Sequence, residues 1–287
     1  ADEAAALEAC GARLVVGDVP PLAFAAAGRA GVPAFALANF TWDWIYEEYE
    51  EIAEAPELLR AIRVAYAQAR GAWRLPMSGG FEPFAQIVDV PLVARHSRRD
   101  PSDVRRDLGL PLDRPVVLSS FGGFGVRGLP LEQVDCLGRC AIVAAEATIA
   151  RSHPHPEHPE HPEHPVHPEH PEYLVEIAEA ELYGSGYRYE DLVAAADVVI
   201  TKPGFGIIAE CTANRTAIVY TSRGRFREYD VLVREMPRYV RSEFLPQDDL
   251  LAGHWESAID RVLSKPAPPL ARTDGADVVA DLILRAL

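Results

Sequence analysis

The sequence predicts an α/β protein built from two parallel-sheet units in series. Three observations carry this. Short apolar strands alternate with helical stretches from residue 12 onward. The strands are continuous apolar runs, which indicates sheets covered by helices on both faces. The alternation breaks at a proline-marked basic stretch, "DVPLVARHSRRDPS" (residues 88–101), and restarts at residue 114. That break is the expected linker, giving one unit over 1–95 and another over 96–287.

The first unit opens in a helical pattern, "ADEAAALEACG". "ARLVVGD" (12–18) is expected as a short buried strand. "PPLAFAAAGRAG" (20–31) is a helix with proline at its start and glycine at its stop. "VPAFALANF" (32–40) is the next strand. Helix is then expected from about residue 42 to 71, interrupted at Pro56. In the second unit the strands are "RPVVLSS" (114–120), "AIVAAEA", "ADVVIT" and "TAIVYT". A helix is expected over about 130–140, and two more close the chain. The segment 152–172 is different: seven prolines and seven histidines in a triplet repeat. Proline at that density excludes helix and sheet. Its histidines could form a metal-binding comb along a polyproline edge, or the repeat is an expansion in a tolerated surface loop.

The 287 residues carry a formal charge of −15, a surface that repels nucleic acid and anionic membrane. No apolar run is long enough for a membrane span. Cys10, Cys136, Cys140 and Cys211 are scattered, and Cys136 and Cys140 fit one helix face without completing a zinc site. Reduced thiols in the cytoplasm are expected. No metal site and no cofactor are expected.

Two glycine-containing loops follow strands. "SSFGGFGVRG" (119–128) reads mechanically as a dinucleotide fingerprint, with Glu146 about 20 residues on. The fingerprint needs a helix to begin inside the glycines, whereas structure restarts here only at Pro130. "ITKPGFGIIAE" (200–210) is the second loop. Gly204 and Gly206 let backbone approach a ligand, and the helix starting near Phe205 offers unpaired amides and a positive dipole end. Glu210, one turn in, repels phosphate but can accept hydrogen bonds from vicinal sugar hydroxyls. Diphosphate at the helix start with ribose one turn along suggests a nucleoside diphosphate. The plain alternative is a tight strand–helix turn with an exposed glutamate.

"ADVVITKPGFGIIAECTANRTAIVYTSRG" resembles the donor-binding region of GT-B glycosyltransferases related to the N-acetylglucosaminyltransferase of peptidoglycan synthesis. "VVGDVPPLAFAAAGRAGVPAFALANFTWDWIY" (15–46) is similar to the glycosyltransferase-like module of plant arabinokinases and its stand-alone bacterial relatives. The resemblance implies two Rossmann-like doubly wound domains facing a cleft, the N-terminal one truncated, because its usual first strand and Gly/His loop are absent from this sequence. It implies donor binding by Gly122, Gly123, Phe124 and Gly125, by Lys202, Pro203, Gly204, Phe205, Gly206 and Glu210, and by Arg223, Arg227 and Glu228. Asp18 is either the cap of the 20–31 helix or a general base for an acceptor hydroxyl, and Asp43 has the same ambiguity. Trp42 and Trp44 stack on sugar or fill core. The expected reaction is metal-independent transfer from a nucleoside diphosphate sugar, a UDP-sugar first, to a small-molecule or glycan acceptor. A non-catalytic sugar-nucleotide module and a sugar-nucleotide epimerase are the alternatives.

Overall fold

The computed structural model describes residues 2–121, 129–145 and 173–287. Gly122, Gly123, Phe124, Gly125, Glu146 and the 152–172 repeat lie outside the described residues. The chain forms two compact units. One comprises Ala1–Ala94, Gly224–Glu235 and Leu270–Leu287, the other Arg95–Arg223 and Met236–Pro269.

The first unit is a parallel four-stranded sheet in the order β1-β2-β3-β4, with β1 at Val15–Gly17, β2 at Ala34–Phe40, β3 at Gly71–Gly79 and β4 at Ile87–Asp89. Helix α1 is Asp2–Ala9 and α2 is Pro21–Ala30, the latter ending on Gly31 at φ 66°, a left-handed cap that glycine adopts without strain. Burial of β1 is incomplete: it is an edge strand, and Val16 is 40% exposed. The helical stretch expected over 42–71 is broken into α3 (Trp42–Tyr46), α4 (Glu50–Ala53) and α5 (Pro56–Tyr66), and the chain is already strand at Gly71. Pro56 starts α5 instead of merely interrupting a helix. The core joins Phe24, Tyr66 and Phe84 edge-on and stacked, with centroids 5.2–6.1 Å apart.

Two later segments complete this unit. Phe226 meets the Phe40 ring edge-on at 6.1 Å. The Leu92 amide donates to the Arg272 carbonyl at 3.3 Å, and the Gly275 amide returns a bond to the Leu92 carbonyl at 3.0 Å. A Cβ at Gly275 would stand 2.3 Å from the Pro91 carbonyl oxygen, so only glycine permits this approach.

The second unit is a parallel six-stranded sheet in the order β10-β9-β8-β5-β6-β7. The strands are β5 (Val116–Ser119), β6 (Ala141–Ala145), β7 (Leu174–Ile177), β8 (Val198–Thr201), β9 (Ala217–Tyr220) and β10 (Ser242–Phe244). Its helices are α6 (Pro101–Asp107), α7 (Glu179–Gly184), α8 (Tyr189–Ala195), α9 (Phe205–Asn214), α11 (Gln247–Ala252) and α12 (Glu256–Ser264); α10 (Glu228–Glu235) and α13 (Gly275–Ala286) belong to the first unit. Counted from β5 the order is 3-2-1-4-5-6, the doubly wound arrangement of dinucleotide-binding sheets. The core clusters Val117, Ile142, Ile200 and Val219 with Trp255, whose indole N–H donates to the Leu250 carbonyl at 2.9 Å.

The helix expected over 130–140 is not formed. Pro130 starts only a 3₁₀ turn, Leu131–Gln133, and Gly138 sits at φ 94°. Cys136 and Cys140 are therefore not on a helix face. They share a single turn closed by the Cys140 amide on the Cys136 carbonyl at 2.9 Å. The 88–101 stretch is less open than a linker: it begins in β4, and its later residues bind α8 and α9. Among the described residues no helix is long and apolar enough to cross a membrane.

Candidate functional site

In the second sheet the strand order reverses between β5 and β8, and crevices at such reversals are where doubly wound folds take ligands. The four residues of β8 are buried. Lys202 and buried Pro203 follow, and Gly204 caps α9 in an extended conformation with no side-chain hydrogen bond. The first amides of α9 are thus left without a side-chain cap. Among the described residues, a Cβ at Gly204 would have a single neighbour within 4 Å, the Arg223 guanidinium at 3.9 Å, and one at Gly206 would have none. Packing among the described residues therefore does not require these glycines. Arg223 donates to the Pro203 carbonyl at 3.3 Å, which brings a cation to the same place.

Glu210 lies on α9 and is 7% exposed, so it is not the exposed glutamate of a plain turn. It accepts from Arg95 Nε at 2.5 Å. Arg95 also lies 3.6 Å from Glu190 and over the Tyr189 ring at 5.9 Å. Asn214 on the same helix donates to the Arg95 carbonyl at 3.0 Å and accepts from the Ser97 amide at 2.9 Å. Ser97 Oγ donates to Asp191 at 2.7 Å. Beside the end of β5, Ser120 Oγ and Tyr189 Oη are 2.7 Å apart, and burial pushes the Tyr189 hydroxyl up to about 12. Buried Ser119 Oγ, on the last residue of β5, has no partner among the described residues. Sequence reasoning did not single out Arg95; its one signal was its place in the basic run after β4.

Arg223 belongs to the second unit, whereas Arg227 and Glu228, grouped with it by the resemblance, follow the boundary at Gly224. Both of the latter belong to the first unit. Arg227 donates to the Trp44 carbonyl at 2.6 Å and to Glu47 at 2.8 Å, with its guanidinium 4.6 Å from the Trp44 ring. Buried Glu228 accepts from Asn39 at 2.8 Å. Trp44 also packs on Gly79, where a Cβ would fall 2.4 Å from the ring, and Trp42 packs edge-on against Phe40 and tilted against Tyr46. Both indoles are engaged by the protein itself.

The carboxyl ends of β1–β3 carry the two candidate bases. Asp18 does not cap α2; Pro20 holds that position with no side-chain cap. Burial holds the Asp18 carboxyl above its ordinary pKa. The next residue, Val19, is buried at φ 49°, and Met77 and Phe81 are buried at φ 54° and 88°. Bulky side chains in the left-handed region store strain, and such strain concentrates at functional sites. Tyr66 Oη donates to the Val19 carbonyl at 2.8 Å and accepts from the Trp42 amide at 3.2 Å. Burial, above all, holds the Tyr66 hydroxyl protonated, and the charges of Asp43 and Asp18 add to it. Asp43 is 2% exposed; Oδ2 accepts from Arg63 Nε at 2.9 Å, while Oδ1, like Thr41 Oγ1, is buried without a partner among the described residues. Beside it opens a groove of about 970 Å³ lined by Asp43, Leu59, Arg60, Val64 and Glu82 among others.

No protein-family model matches the chain. L-arabinokinase of Arabidopsis thaliana is 27% identical over 275 residues, which is 95% of this chain and 24% of that protein. The UDP-N-acetylglucosamine--N-acetylmuramyl-(pentapeptide) pyrophosphoryl-undecaprenol N-acetylglucosamine transferase of Clavibacter michiganensis subsp. michiganensis is 28% identical over 202 residues, 69% of this chain and 47% of that protein. The chain thus spans about a quarter and about half of these curated relatives. Among solved structures, the calicheamicin glycosyltransferase CalG4 superposes with a TM-score of 0.59 at 16% identity, covering 99% of this chain and 76% of its own. A putative UDP-N-acetylglucosamine 2-epimerase from Listeria monocytogenes gives 0.57 at 13% identity, covering 98% and 75%. The fold is GT-B.

Within this GT-B chain the state of Glu210 is measurable without any ligand. Burial is the largest influence on its carboxyl and raises its pKa above 4.5; the Arg95 pair pulls the other way without cancelling it. Folding therefore favours the neutral form. That contribution is fully present below about pH 4.5 and is lost as pH rises through the folded value. Glu210→Gln, a mimic of the neutral acid, is expected to raise the melting temperature near pH 8 and to leave it almost unchanged near pH 4. A lowered melting temperature near pH 8 would show that the Arg95 pair outweighs burial.

Proposed function

We propose that this GT-B chain is a glycosyltransferase that binds a nucleoside diphosphate sugar, a UDP-sugar first, at the carboxyl edge of the second sheet. The observation that carries the reading is the open, uncapped start of α9 at the strand-order reversal, with Glu210 one turn along. The α9 amides, their dipole and Arg223 would hold the diphosphate. Glu210 would take the ribose hydroxyls, sharing its charge with Arg95. The 122–125 loop, which follows β5, is assigned to the same donor, as is Lys202.

The acceptor hydroxyl would be activated on the first unit by Asp43 or Asp18. In the transfer, the bond from the anomeric carbon to the phosphate oxygen breaks. A bond from that carbon to the acceptor oxygen forms, and the hydroxyl proton passes to the carboxylate. Negative charge grows on the leaving diphosphate, where preorganised amides stabilise it best. Arg227 and Glu228 would act at one remove, holding Trp44 and Asn39 beside Asp43.

Two measurements test this. Calorimetric titration of UDP and dTDP examines the donor site, and release of free nucleoside diphosphate from a panel of UDP-sugars examines transfer. Nucleotide release that depends on an added acceptor supports transfer. Conversion of the UDP-sugar with no nucleotide released would support an epimerase instead, a reading favoured by the fold shared with the Listeria monocytogenes protein. Binding with no turnover under either assay would support a regulatory module.

A further inference from the structure

We infer that the groove beside Asp43 takes an amphipathic hydroxy acid, an apolar ring carrying one carboxylate and one hydroxyl, and that this is the acceptor class. The inference rests on the acceptor reading of Asp43 given above. The groove, about 970 Å³, is large enough for a small organic molecule. Its lining includes the apolar Leu59, Pro83 and Val64, the last 58% exposed, while α5 buries Ile62, Ala65 and Tyr66.

The charges in the groove select the rest of the molecule. Arg63 is bound to Asp43 and Glu47, and Arg227 to Glu47 and Trp44. Arg60, one turn before Arg63 on α5, has no ion pair or hydrogen bond among the described residues. It is a free planar donor fork suited to a carboxylate. Asp43 Oδ1 is a buried acceptor with no partner among the described residues, so a donor such as a hydroxyl brought to Asp43 would satisfy it. Glu82, likewise unpaired in the same groove, repels a second negative charge. A monocarboxylate fits this set better than a phosphate dianion.

The test uses the full chain, with 4-hydroxybenzoate as probe and 4-hydroxybenzamide as its neutral counterpart, titrated calorimetrically into wild type and Arg60→Gln. Arg60 is solvent-exposed, so the substitution leaves the core untouched. The acid is expected to bind wild type about tenfold more tightly than the amide, the scale of a charge-assisted bond. Arg60→Gln should bring the acid down to the level of the amide. Acid and amide binding alike, an unchanged acid affinity in Arg60→Gln, or no binding of the acid would each overturn the proposal. UDP is titrated in parallel and should bind wild type and Arg60→Gln equally. Acid binding without UDP binding would support the groove and sink the donor reading. UDP binding without acid binding would sink the groove alone.

Discussion

Gly204→Val is expected to weaken UDP binding by about a hundredfold or more while leaving the protein folded. The two effects separate because they arise on different sides of the same residue. Gly204 lies at φ −143° and ψ 153°, extended backbone that a β-branched residue adopts readily. Among the described residues its Cβ would meet only a guanidinium at 3.9 Å, so the described core does not resist the change. Replacing glycine as an N-cap costs up to about 1 kcal/mol. For a chain of this size that is a fall in melting temperature of about 2–4 °C. The ligand meets the other side. A valine side chain would occupy the space over the first α9 amides, and each lost hydrogen bond to a charged phosphate is worth about 1.5–3 kcal/mol. Two such losses give the hundredfold effect. Calorimetry with UDP, alongside a thermal melt, reads both numbers. A folded variant with wild-type affinity would place the nucleotide elsewhere.

The second large effect is on turnover. Asp43→Asn is expected to lower kcat by about 10²- to 10⁴-fold, the usual contribution of a positioned general base. UDP affinity should stay at the wild-type value, since Asp43 and α9 belong to different units. Asparagine keeps the shape of the buried side chain, but its amide cannot accept a proton. Asp18→Asn is the comparison, because Asp18 is the other candidate base and follows β1 in the same unit. If Asp18 is the base, the partial desolvation that raises its carboxyl is expected to move the acidic limb of the pH–rate profile upward from that of an ordinary aspartate. Steady-state kinetics with a turning-over acceptor decides between them. Activity within threefold of wild type in both variants would remove these carboxylates from the chemistry.

Much of the second unit was legible in the residues. "VVIT" followed by Lys-Pro-Gly-Phe-Gly is a buried strand running into a helix start, and the structure reproduces it at Val198–Thr201 and Phe205. Apolar runs identify such strands because a parallel sheet buries both faces. The 20–31 helix was equally plain, since proline and glycine mark helix ends by backbone geometry alone. The reading failed where local preference competed with packing. Residues 130–140 carry helix formers, yet Pro130 and the left-handed Gly138 hold them in turns. The strand at Gly71–Gly79 follows α5 with no break strong enough to read.

What the sequence by itself determined is the element alphabet: α/β class, two series of strands, and the glycines that free the start of α9. Those follow from hydrophobic period and backbone dihedrals, which are local. What only the tertiary structure decided is company. Gly224–Glu235 and Leu270–Leu287 join the first unit, so Arg227 and Glu228 serve Trp44 and Asn39 while Arg223 stands beside Pro203. Arg95 reaches Glu210 across 115 residues, and Tyr66 ties Val19 to Trp42. No pattern along the chain encodes such pairings. They are set when the sheets close and each buried polar group must find a partner or, like Asp43 Oδ1 among the described residues, be left without one.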